Sequence, residues 1–178
     1  VFDGELKVTI DTFIDLGGAF IIALVLIFFL MVMYYKSFAI SGGIVLSSFI
    51  SIIGVIFAHI IMDVITADTF YLTATSLIGF IGLIGINSRN STLIIDFSKQ
   101  LVHEKNLGIN EAIAKATATR SKPIILTVLT IVFASALIAN DAVFGGLGVA
   151  LIGGTLISYV VSMFFVPVII KNQLKKIL

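Results

Sequence analysis

Gly85–Phe97 reads GINSRNSTLIIDF, an arginine set between two asparagines and three hydroxyl side chains inside a run that is otherwise apolar from Tyr71 to Phe97. An arginine near the centre of a bilayer costs about 2.5–3.5 kcal/mol on insertion scales, and such residues face a bundle interior or a wet pathway. The simpler alternative is that Arg89 snorkels to the interface, two turns away at Asp96. Snorkelling leaves Asn87, Ser88, Asn90, Ser91 and Thr92 unexplained, so the run reads as a polar helix enclosed by others.

Working outward, the 178 residues are 59% hydrophobic and 12% charged, with a mean hydropathy of +1.19. Soluble domains lie near roughly 45–50% apolar and 25% charged. Five stretches are long enough to cross a hydrocarbon core, which takes about 20 mostly apolar residues as helix: Leu16–Tyr35, Phe38–Met62, Tyr71–Phe97, Pro123–Asn140 and Val143–Ile170. Barrel strands would be half as long and alternating. The expected fold is therefore an all-α transmembrane five-helix bundle in a lipid membrane, with no nucleic acid as partner. The chain has no cysteine, hence no disulfide framework or thiolate metal site. His59 lacks a second ligand at metal spacing and reads as an interfacial residue, and the absence of a Walker A sequence argues against nucleotide hydrolysis. The glycine-rich GGLGVALIGG, Gly145–Gly154, opens an apolar span and reads as helix packing.

Lysine and arginine accumulate on the cytoplasmic side of membranes. Here Asp3, Glu5, Asp11 and Asp15 against Lys7 precede the first span, Lys36 follows it, and Asp63 and Asp68 follow the second. The stretch Ser98–Lys122 carries five basic residues, Asp141 stands alone, and the tail holds Lys171, Lys175 and Lys176. The alternation puts the N-terminus outside and the tail in the cytoplasm. The opening VFDGELKVTIDTFIDLGG has no initiator Met and no basic n-region, and reads as the start of a fragment of a longer polypeptide. Within the cytoplasmic loop 98–122, Asn110 is expected to cap a short helix whose Ala112, Ile113 and Ala116 lie at the membrane surface. Pro123 suits the first turn of the next helix, where its missing N–H costs nothing.

Arg89 precedes Asp96 by seven residues, about 700° of helix, so the two share one face roughly 10 Å apart. Gly79, Gly82 and Gly85 form a row of small residues that would let another helix backbone approach, placing this helix at the bundle centre. Arg120 and Thr127 are also seven apart, with Thr130 nearby. They either line a hydrated route or, in the case of the threonines, bond their own backbone.

The sequence TATSLIGFIGLIGINSRNSTLIIDF, the basic NEAIAKATATRSKPIILT and the closing DAVFGGLGVALIGGTLISYVVSMFFVPVII together resemble the C-terminal membrane half of resistance-nodulation-division (RND) efflux permeases, in the hydrophobe/amphiphile (AcrB-like) branch. The resemblance implies one half of a twelve-helix pseudo-repeat, with helices at about 16–35, 38–62, 71–97, 123–140 and 143–170 and residues 1–15 as the end of an extracytoplasmic domain. It implies a secondary active transporter of the bacterial inner membrane, not an enzyme, exporting amphiphilic compounds by proton antiport with no cofactor beyond the proton gradient. Implied partners are the missing N-terminal half, further copies in a homotrimer, a periplasmic adaptor and an outer-membrane channel. Arg89 matches the position of a relay lysine, Asn90 follows it, and Arg120 and Thr127 match the relay's arginine and threonine, with Asp96, Asn87, Ser88 and Thr130 in support. Arginine for lysine is a departure, because a guanidinium stays charged where an amine can shed its proton. The paired aspartates of the family belong to the half that is absent. A protein-export subunit of the SecDF type and a non-transporting scaffold are the competing expectations.

Overall fold

The computed structural model describes residues 5–66 and 72–177, the side chains of 5, 6, 172 and 174–177 excepted. Val1–Gly4 and Asp68 lie outside the described residues, as do the side chains of Lys175 and Lys176. Five helices follow one another: α1 Glu5–Tyr35, α2 Phe38–Thr66, α3 Ala74–Lys105, α4 Ile109–Ile138 and α5 Gly145–Ile177. Many of their residues are β-branched and would be indifferent helix formers in water. In hydrocarbon every backbone N–H and C=O must be bonded within the chain, and a helix does that regardless of side chain. All five are long and apolar enough to span a membrane.

The helices outrun the hydrophobic spans. At 1.5 Å per residue, α4 with its 30 residues is about 45 Å long against a hydrocarbon core of about 30 Å. α1 begins at Glu5, eleven residues before Leu16, and α3 continues to Lys105. The stretch 98–122 is helical apart from Asn106–Gly108, where Asn106 takes a left-handed conformation (φ 49°) that ends α3. The short helix expected after Asn110 is instead the beginning of α4. Its N-cap is Gly108, so Asn110 does not cap it. Ala112, Ile113 and Ala116 are buried rather than laid on a membrane surface, and Ala112 and Ala116 cluster with Leu101 of α3. Pro123 consequently sits well inside α4, not in a first turn.

α3 packs against each of the other four helices, as its small and polar residues suggest for a central helix. α5 packs against α2, α3 and α4, whereas α1 touches only α2 and α3. α1 and α4 both lie on α3 and do not meet. The tightest seam is α2 on α5. A Cβ on Gly54 would come within 2.6 Å of the Gly153 carbonyl, and one on Gly153 would collide with Ala58 and the Gly54 carbonyl. Only glycine lets two helix backbones meet this closely. Gly154 likewise lies against Leu83 of α3, so the glycine-rich start of α5 does serve helix packing.

Two further apolar clusters fill the bundle. One, at the end where the basic residues gather, includes Tyr35, Ile44, Ile94, Ile124 and Val166. The other, toward the acidic end, joins Val55, Phe80, Leu83 and Ala150. Between them, at mid-bundle, lies a layer of buried polar side chains.

Candidate functional site: the two polar faces of α3

The buried layer is organised by Asn87, which is fully buried. Its Nδ2 donates to Ser47 Oγ (2.6 Å) and Ser48 Oγ (3.0 Å) of α2. Its Oδ1 accepts from Ser158 Oγ (2.9 Å) and Ser162 Oγ (3.4 Å) of α5. The direction of the amide follows from chemistry. Ser47 and Ser48 both give their hydroxyl protons to the Ile44 carbonyl, at 2.6 and 3.1 Å, so their oxygens can only accept from Asn87. Two donors and two lone pairs are thus all used, and one side chain ties three helices together.

The opposite face of α3 is different. Arg89, two residues on and about 200° around the helix, is exposed, and so are Gly82 and Gly85. Gly85 has nothing within 4 Å of a notional Cβ, and Gly82 has only the Leu151 side chain at 3.8 Å. The backbone approach expected along the glycine row therefore occurs at Gly79 alone, against Ala150 of α5. Among the described residues, none forms a hydrogen bond or ion pair with Arg89. The Gly82–Gly85–Arg89 stripe is one that this chain leaves uncovered.

Asp96 shares that face by spacing yet is engaged elsewhere. Its two carboxylate oxygens accept from the hydroxyls of Tyr34 (Oδ2, 3.0 Å) and Tyr35 (Oδ1, 3.0 Å) at the end of α1. Lys99 Nζ stands 4.7 Å from the centre of the Tyr35 ring. Asp96 is a tether between α1 and α3. Asn90, Ser88 and Ser91 are buried, and among the described residues Asn90 Nδ2 and the two serine hydroxyls have no hydrogen-bond partner.

Arg120 is half-buried, with its guanidinium 4.5 Å from the centre of the Phe97 ring of α3, and its Nε has no partner among the described residues. Thr127 donates to the Pro123 carbonyl at 3.1 Å and Thr130 to the Leu126 carbonyl at 2.9 Å, so both threonines bond their own helix. Among the described residues, no hydrogen bond or ion pair joins Arg120, Thr127 and Arg89. His59 is buried rather than interfacial: Nδ1 meets the Val55 carbonyl and Nε2 meets Ser76 Oγ, each at 2.9 Å.

Sequence reasoning missed the partners of Asn87. Their signal was present in Ser47, Ser48, Ser158 and Ser162, hydroxyls at one- and four-residue spacing in helices otherwise apolar. The Tyr34–Tyr35 pair closing α1 was similarly unread.

Four apolar spans around a fifth, α3, that is polar on two opposite faces define a multi-pass helical membrane protein with an internal charge held on an open face. A model of the AcrB/AcrD/AcrF family matches residues 5–171, and the chain belongs to that family. It is 28% identical over 152 residues to the multidrug export protein AcrF of Escherichia coli (strain K12), covering 83% of this chain and 14% of the relative. It is 25% identical over 151 residues to the solvent-resistant pump membrane transporter SrpB of Pseudomonas putida, covering 82% and 14% respectively. The multidrug resistance protein MdtC of Edwardsiella ictaluri (strain 93-146) is 31% identical over 99 residues, 53% of this chain and 10% of that protein. The chain thus spans about one seventh of the length of the first two relatives.

Proposed function

We propose that this chain is the C-terminal membrane portion of an RND efflux permease that exports amphiphilic compounds by proton antiport, and that Arg89 is its fixed counter-charge. One observation carries the reading: Arg89 stands on an exposed stripe with Gly82 and Gly85, between two helices that flank α3 without meeting. A charge on a glycine-floored face suits a second helical repeat whose acidic side chains approach closely. Because a guanidinium keeps its proton, Arg89 does not carry the transported proton. It holds partner carboxylates ionised, and their protonation breaks the pair and lets the two repeats rock. Asn90 orients the pair, and Arg120 lines the route from the basic end together with Thr127, whose hydroxyl gives its proton to the Pro123 carbonyl and keeps its oxygen free to accept from water. That end is cytoplasmic in this reading and the start of α1 is outside, in the bacterial inner membrane. The working assembly is a homotrimer with an adaptor and an outer-membrane channel, and it needs no cofactor beyond the proton gradient.

The test is efflux of an amphiphilic dye by the full-length protein under an imposed proton gradient. Arg89→Gln is expected to abolish gradient-driven efflux while leaving the protein in the membrane, and Arg89→Lys to retain part of it. Undiminished efflux by Arg89→Gln would refute the assignment.

A further inference from the structure

At the basic end, the first turns of α4 and the last turns of α5 leave between them a groove of about 650 Å³. Its rim carries Asn110, Thr117 and Lys171, and its floor Ile113, Met163 and Pro167. Met163 lies eight residues before Lys171, so the groove runs about 12 Å from a charged mouth into the apolar part of the bundle. Lys171 and Asn110 are exposed, and among the described residues Asn110 has no side-chain hydrogen bond. The Thr117 hydroxyl proton is committed to the Ile113 carbonyl at 2.9 Å, so Lys171 and the Asn110 amide are the donors at the mouth. Among the described residues, no acidic side chain lines the groove.

We propose that this groove is a binding site for an anionic phospholipid, with the headgroup phosphate on Lys171 and Asn110 and one acyl chain on Met163 and Pro167. The chemistry is complementary at both ends. An apolar slot opening on hydrocarbon is filled by a chain rather than by water, and a cationic mouth without a carboxylate favours a negative headgroup over a zwitterionic or positive one. The inference rests on the membrane placement of the chain and not on proton coupling, so it stands or falls separately from the role of Arg89.

The experiment is native mass spectrometry of the full-length protein released from nanodiscs of phosphatidylglycerol and phosphatidylcholine with matched acyl chains. The unaltered protein is expected to retain phosphatidylglycerol about fivefold over phosphatidylcholine, the worth of one lysine at a membrane surface. Lys171→Gln removes that preference, whereas Lys99→Gln, a basic residue stacked on Tyr35 away from the groove, keeps it. Ala114→Phe, at an exposed position lining the groove, lowers retention of both lipids. Equal retention of the two lipids overturns the proposal, as it would if another helix or a neutral amphiphile occupied the groove. Equal losses from Lys171→Gln and Lys99→Gln also overturn it, since they would mark diffuse attraction to a basic surface, and so does unchanged retention by Ala114→Phe.

Discussion

Replacing Asn87 by alanine deletes four hydrogen bonds between α3 and its neighbours, and the consequences divide unevenly. On the α2 side, Ser47 and Ser48 keep their donations to Ile44 and merely lose a donor to their spare lone pairs. On the α5 side, Ser158 and Ser162 lose the acceptor of their protons. Interhelical hydrogen bonds in membranes average about 0.6 kcal/mol in double-mutant cycles, so four of them amount to about 2.4 kcal/mol. The 3.4 Å Ser162 contact is the weakest, which brings the expected loss to about 2 kcal/mol. Unfolding in mixed micelles by titrated dodecyl sulfate would measure it. Ser158→Ala alone should cost about 0.6 kcal/mol, and close to nothing in an Asn87→Ala background, because both changes break the same bond. An Asn87→Ala protein within 0.5 kcal/mol of the parent, or a Ser158→Ala cost unchanged in the double variant, would refute the view that one amide holds three helices.

Three other changes follow from the geometry. Gly153→Ala should loosen the α2–α5 seam by about 2 kcal/mol or more through overpacking, whereas Gly85→Ala, with open space around it, should leave micelle unfolding unchanged or slightly improved yet impair efflux if a second repeat packs there. Spin labels on α1 and α3 near their basic ends should report a broadened distance distribution in Asp96→Leu, with Asp96→Asn intermediate because its remaining oxygen still accepts from one tyrosine; identical distributions would mean the tyrosine contacts are incidental. Asp141, exposed in the α4–α5 turn, accepts from the N–H groups of Phe144 and Val143, which hold its carboxyl below the usual range. Its contribution to ordering the turn is present above the ordinary carboxylate range and is lost as pH falls through the lowered value, so amide shifts of Val143 and Phe144 should move at lower pH than a free aspartate would dictate.

The five spans were legible because bilayer thickness imposes a minimum apolar length that few soluble sequences meet. Helix ends were not, because nothing in hydropathy tells a helix to stop at the membrane surface. The density of charge between Ser98 and Lys122 reads as a loop, but Ala112 and Ala116 have Leu101 to pack against, and α4 therefore starts at Ile109. Membership of the family was readable from the run around Arg89 and the RSKPIILT junction, which lie within the matched residues. Which polar residues face inward was not readable, since Asn87 and Arg89 belong to one run and differ only in azimuth. Glycine spacing was only partly informative for a related reason: a row of small residues marks where approach is allowed, and inside this chain it is used at Gly79 but not at Gly82 or Gly85, while Gly54, Gly148, Gly153 and Gly154 make further close contacts.

The four bonds of Asn87 also restrict how α3 can move. A helix free to spin about its axis could answer a change of charge at Arg89 by rolling that side chain elsewhere. Here a roll of even one residue's worth, about 100°, would carry the amide away from both Ser47 and Ser158. The azimuth of Arg89 is therefore set by a lock on the other side of the same helix, two residues away. A force applied at the guanidinium is left with tilting or sliding, and because α2, α3 and α5 are joined by glycine contacts and by the amide, and Gly148 seats the end of α4 on α5, it displaces these four together, with α1, which touches only α2 and α3, as the looser outrider.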